Sequence, residues 1–112
     1  MTEYGDLEKR RQRAARNQSL FREVNERIED LSSSATFATF VCECMSETCD
    51  ESVSLTVEEY EHIRSTGNRF LVRPGHYEPD IEEIVEGNDR FLVVAKLGSG
   101  ASVSEHLNPR TR

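Results

Sequence analysis

Cys42, Cys44 and Cys49 are the only cysteines in the chain, and they fall within eight residues as Cys-x-Cys-x4-Cys. His76 follows in the segment Arg73-Pro74-Gly75-His76. Thiolates and an imidazole are ligands of tetrahedral zinc, so the pattern reads as a Cys3His site with Zn2+ as the implied cofactor. Four protein ligands close the coordination sphere, as in a structural site. If His76 stays out, the open position would instead suit a zinc-bound water and zinc-dependent chemistry. His62 and water are the alternatives for the fourth position. Redox or disulfide use of the thiols is the competing reading. Iron–sulfur ligation fits less well, because the spacing matches neither common ferredoxin pattern. Unrelated buried cysteines fit poorly, since Glu43, Glu47 and Asp50 flank the three thiols.

A second group is electrostatic. Lys9, Arg10, Arg11, Arg13 and Arg16 concentrate positive charge near the start of a helix, where it opposes the helix dipole. Such a run serves a partner or phosphates as readily as it serves a solvated helix face. No constellation for nucleophilic catalysis accompanies it. There is no G-x-S-x-G, no P-loop and no G-x-G-x-x-G, and Gly98-Ser99-Gly100 lacks the strand-loop-helix setting of a phosphate cradle.

The elements that position these groups can be read from periodicity. Residues 6–31 lack glycine and proline and are rich in helix formers, which predicts one long helix. Leu7, Ala14, Phe21 and Ile28 recur every seven residues, joined by Val24 and Leu31, so the second half carries an apolar seam and the first half is a charged rod. The spacing predicts strands over residues 35–42, 52–55, 69–73 and 91–95. The ligand loop spans Glu43 to Cys49. Thr56 and Glu59 form a capping box that opens a short helix ending before Gly67. Pro79, the acidic Asp80, Glu82 and Glu83, and the stripe Ile81, Ile84 and Val85 predict a second short helix ending at Gly87. Residues 98–112 read as a flexible tail.

The chain has 112 residues, of which only 36% are apolar, and no tryptophan. That is a marginal core for a domain of this size, and a structural metal is a recognised remedy. The net charge is −7. Residues 1–31 carry seven basic and seven acidic side chains, so the deficit lies wholly in the remainder. An acidic body repels phosphate, and any nucleic-acid contact would fall to the N-terminal helix. No run is long and apolar enough to cross a membrane and no signal-type segment opens the chain, which makes the cytoplasm the default location.

Arg13 to Ile28, Phe40-Val-Cys-Glu-Cys44, Cys49, Leu55-Thr-Val-Glu-Glu-Tyr60, Phe70-Leu-Val-Arg-Pro-Gly-His76 and Leu92-Val-Val-Ala-Lys96 resemble a family of small bacterial proteins typical of high-GC Gram-positive bacteria. The resemblance runs from Arg13 to Lys96 and implies a self-contained unit, with no activity attached.

The expected fold class is α+β. A helix and linker over 1–34 precede a zinc-stabilised unit of about four strands and two short helices over 35–97, followed by the tail. The expected function is a zinc-stabilised, regulatory interaction module. Its contact residues would be Lys9, Arg10, Arg11, Arg13, Arg16, Phe21, Val24 and Ile28, its partner a protein, and a homodimer could form through the helix. The alternatives are a nucleic-acid- or transcription-complex-associated factor and a zinc-dependent or thiol-redox activity.

Overall fold

The computed structural model describes residues 3–32, 37–46 and 48–111. Ser33, Ser34, Ala35, Thr36 and Glu47, expected in the linker, the first strand and the ligand loop, lie outside the described residues. The fold is α+β, as the sequence predicts. Helix α1 (Glu3–Leu31) leads into β1 (Phe37–Val41) and β2 (Ser52–Thr56). Helix α2 (Val57–Arg64), β3 (Arg69–Val72), β4 (Glu82–Gly87), β5 (Leu92–Lys96) and helix α3 (Ser99–His106) follow, with a 3-10 turn at Pro109–Thr111.

The strands form two antiparallel sheets, β1-β2 and β3-β5-β4. In the first, alternation sorts the faces: Ala38, Phe40, Val53 and Leu55 point inward, while Phe37, Thr39, Ser52 and Ser54 point out. The register sets Ala38 opposite Leu55 and Phe40 opposite Val53. Tyr60 of α2 stacks on Phe40 at 4.5 Å between ring centroids. These residues join Ile63, Leu71, Phe91 and Val93 in one core. The capping box that opens α2 is present in both directions, Glu59 N to Thr56 Oγ1 at 3.0 Å and Thr56 N to Glu59 Oε1 at 2.8 Å. β5 is the central strand of its sheet, and its run is apolar because Val93 faces one core cluster and Val94 the other.

Three expectations are corrected. The helix expected after Pro79 is instead strand β4, paired with β5 from Glu82↔Lys96 to Gly87↔Leu92. The acidic residues that suit a helix N-terminus are outweighed by the free hydrogen-bonding edge of β5, and β-branched Ile81, Ile84 and Val85 suit a strand. A bulge between Ile84 and Glu86 breaks the strict alternation that would have marked it.

The expected tail contains α3, packed against α1. Its Gly- and Ser-rich sequence forms a helix because its supports lie far away in the chain. Gly98 takes φ +57° and supplies no capping side chain, and Glu8 of α1 accepts the Ser99 N–H instead, at 3.0 Å. At Gly100 an added Cβ would stand 3.0 Å from the Arg11 carbonyl oxygen, so a side chain there would push the two helices apart. Beyond α3, Arg64 donates to buried Asn108, and Arg110 bridges Glu26, Glu29 and Glu61.

The third correction concerns α1. Its expected seam coincides with its buried face only at Ala14. Val24 and Leu31 are exposed, and Phe21 and Ile28 only half-buried. The buried face is Ala14, Ala15, Gln18, Ser19, Arg22, Asn25 and Glu29. The first half is therefore not a free rod. Gln18 Nε2 donates to the Glu43 carbonyl at 2.7 Å and to Glu82. Arg22 lies over the Phe70 ring at 4.6 Å and donates to the carbonyls of Gly67 and Ser104. Desolvation pulls the Arg22 pKa down to about 10, which leaves it cationic at neutral pH. Lys96, buried beside Gln18, pairs with buried Glu82 at 2.5 Å.

Two predictions follow from this polar interface. Lys96→Met leaves Glu82 buried without its counter-charge and should cost about 3–5 kcal/mol in urea unfolding; a change under 1 kcal/mol would show that the pair is not closed in solution. Glu8 is held down to about 2 by its hydrogen bonds from Ser99 and Arg11. A depressed carboxyl contributes stability above its unfolded value and loses it as pH falls toward the folded one. Glu8→Gln should therefore flatten the loss of stability between pH 4.5 and 2; an unchanged acid-unfolding curve would count against the contact.

Candidate metal centre

The ligands come from the ends of strands in different sheets. Cys42 directly follows β1, and its N–H continues the ladder to the Glu51 carbonyl at 3.0 Å. Cys44 lies two residues on, so alternation returns it to the same face. The chain then turns back, with Cys49 N–H on the Ser46 carbonyl at 3.2 Å and the Ser46 and Thr48 hydroxyls 3.2 Å apart. His76 sits beyond β3, in a turn where Gly75 adopts φ +87° and the His76 N–H reaches the Arg73 carbonyl at 3.0 Å. Three ligands thus belong to the β1–β2 connection and the fourth to the end of β3. An ion held by all four would tie the two sheets together.

The donor atoms of Cys42, Cys44, Cys49 and His76 lie within 4.8 Å of one another. His76 Nδ1 is 3.6 Å from Cys42 Sγ and 3.7 Å from Cys49 Sγ. In a tetrahedral zinc site, sulfur and nitrogen stand about 3.6 Å apart, as bond lengths of about 2.3 and 2.1 Å require. The spacing therefore fits one ion inside the cluster. Of the alternatives for the fourth position, His62 lies on α2, 2.9 Å from Glu86 Oε2. His106 is exposed on α3.

The surroundings differ from side to side. Cys42 and Cys44 are buried against Phe70, Val72 and Val94, whereas Cys49 and His76 are half-buried. Burial pushes the Cys42 and Cys44 thiols up. A divalent cation reverses that balance, because binding it releases the thiol protons. The Arg73 N–H points at Cys42 Sγ from 3.3 Å, the contact that steadies a ligating thiolate from outside the coordination sphere. A cleft of about 590 Å³ opens beside Cys49 and His76, rimmed by Asp50, Glu51 and Glu78. Four protein donors could fill a tetrahedral coordination sphere.

Glu43, one of the charged neighbours that make the cluster a poor buried core by sequence, is fully buried. Its carboxylate accepts from Asn25 Nδ2 at 2.8 Å, Tyr60 Oη at 2.9 Å and the Leu71 N–H at 2.8 Å. The Glu43 N–H donates to the Leu71 carbonyl at 2.7 Å. The signal available in the sequence was alternation: if Cys42 and Cys44 face the ion, residue 43 faces the body of the protein.

The expected contact residues fall into two groups. Lys9, Arg10, Arg13, Arg16 and Val24 are exposed. Arg11 is half-buried, donating to the Asp80 carbonyl at 3.0 Å and pairing with Glu8 at 2.6 Å. Phe21 and Ile28 are half-buried, and Ile28 packs on the core.

Glu43→Gln should destabilise the domain by about 1–3 kcal/mol, and Glu43→Ala, which strands all three donors, by more. The amide turns an NH2 group toward one of three donors, and buried unpaired groups cost about 1–3 kcal/mol each. Asp50→Asn, at an exposed neighbour of Cys49, is the control and should be near neutral. A thermal melt in which Glu43→Gln matches the parent would refute the carboxylate assignment.

No family model matches the chain, and no curated protein or solved structure matches it.

Proposed function

We propose that the protein is a zinc-stabilised interaction module with a regulatory role in the cytoplasm, acting by protein–protein contact through the exposed face of α1. The observation that carries the metal half of this reading is the convergence of Cys42, Cys44, Cys49 and His76 within 4.8 Å. Three thiolates and an imidazole favour zinc among common divalent ions, and a closed tetrahedral set makes its role structural. Binding energy on the order of 10 kcal/mol would then be part of the folding energy.

The contact half rests on α1. Lys9, Arg10, Arg13 and Arg16 stand exposed beside the exposed side chains of Leu20 and Val24, on a chain whose net charge is −7. A basic patch of this kind steers association with an acidic protein and weakens as salt rises. The same cations could track nucleic-acid phosphates, but the acidic body disfavours that reading.

Native mass spectrometry should find one zinc per chain, and chelation should unfold the protein, with Cys42→Ser acting likewise. A metal-free chain with an unchanged melting temperature would overturn the metal reading. Combined Arg10→Glu, Arg13→Glu and Arg16→Glu should abolish salt-sensitive capture of an acidic protein while the zinc content stays at one. Salt-sensitive binding of RNA or DNA instead would favour the nucleic-acid alternative.

A further inference from the structure

We infer that the exposed face of α1 pairs antiparallel with the same face of a second copy of this chain. The inference deepens the contact reading above by naming an occupant for that surface, and it rests on that reading.

Leu20, Val24 and Leu31 are 67%, 47% and 82% exposed. With Arg27 they are spaced four, three and four residues apart, which places them on one seam of the helix. Val24, Glu23, Arg27 and Ile28 line a shallow groove of the kind that receives a leucine from a facing helix. The opposite face of α1 is already committed to the body of the protein through Ala14, Ala15, Gln18, Arg22 and Asn25. Among the described residues the outer seam stays exposed, open to another molecule.

Charge selects the occupant. Arg13 and Arg16 lie on the N-terminal side of Leu20, while Asp30 lies beyond Val24, and all three are exposed. The last turn of α1 holds no basic residue, so the negative end of the helix dipole is unopposed there. An antiparallel two-fold pairing brings together residues placed symmetrically about one point of the helix. Leu20 with Val24 and Arg13 with Leu31 have their midpoint at Arg22, and Arg16 with Asp30 at Glu23, one residue on. One register therefore packs Leu20 of each helix against the partner's Val24 and brings Arg13 and Arg16 to the partner's Asp30 and helix C-terminus. Parallel pairing would set arginine on arginine. A uniformly acidic foreign helix would satisfy the arginines but place like charge against Asp30. The self-complementary arrangement is the isologous contact expected of a two-fold dimer. Its apolar area is small, and Glu23 lies beside the axis where it faces its own copy, so the dimer is weak and concentration-dependent.

The test is sedimentation velocity on the full zinc-loaded chain over a concentration series at low salt. The expected result is a reversible monomer–dimer equilibrium. Leu20→Glu should leave only monomer. Arg16→Glu and Asp30→Arg should each weaken dimerisation by roughly tenfold, and the two together in one chain should restore it. Glu23→Gln should tighten it. These side chains are exposed, so melting temperatures should stay within a few degrees of the parent. A parent monomeric at every concentration, a dimer indifferent to Leu20→Glu, or a double variant that fails to recover would each overturn the pairing. A monomeric chain that still binds a foreign acidic protein, and loses it on Leu20→Glu or Arg16→Glu, would sink self-pairing and spare the contact reading. A monomeric chain that binds nothing would sink both.

Discussion

The carboxylate of Glu43 is the point on which the rest of the structure depends. It is fully buried, and a buried charge is tolerated only when its lone pairs are occupied. Burial pushes its carboxyl up, while donors from Asn25, Leu71 and Tyr60 oppose that shift. The three donors belong to α1, β3 and α2. Satisfying one carboxylate therefore fixes three elements relative to the loop that carries Cys42 and Cys44. Side-chain alternation does the rest, sending the two thiols to one side and the carboxylate to the other.

The metal cluster and the buried polar contacts perform the same task from opposite sides of that loop. The β1-β2 and β3-β5-β4 sheets share no ladder. Contacts that bridge them include the Cys3His cluster, the two hydrogen bonds between Glu43 and Leu71, those from Arg73 and Arg90 to the Ser52 and Ser54 carbonyls, and the apolar core beneath α2. A core built from few large apolar side chains gains rigidity from such bridges, because each has a fixed direction as well as an energy. The half-buried flank of the cluster at Cys49 and His76 faces the cleft.

Helix α1 docks by reading backbone groups and charges rather than by apolar packing. Gln18, Arg22 and Asn25 meet the carbonyls of Glu43, Gly67, Ser104 and Val41. Small residues at Gly100 and Ser104 let α3 come close to Arg11 and Arg22 of α1. Such an interface leaves leucine and valine free to face outward, which inverts the usual assignment of faces on an amphipathic helix. The exposed seam is thus a consequence of how the helix is anchored.

The sequence by itself determined the elements whose signals are local. The cysteine spacing and the Pro-Gly turn before His76 marked the cluster, because metal ligation requires particular atoms at particular spacing. The Thr56–Glu59 capping box fixed the start of α2, and alternation in Phe37–Val41 and Ser52–Thr56 fixed two strands and their inward faces. Only the tertiary structure decided the rest. Residues 82–87 became a strand because β5 offered a free edge, and α3 formed because Glu8 and Arg11, more than eighty residues earlier, cap and accommodate it. The buried side of α1 was hidden for the same reason. Gln18, Arg22 and Asn25 look like solvent-facing residues until distant carbonyls are placed against them, and no local period in the sequence records a partner supplied by another part of the chain.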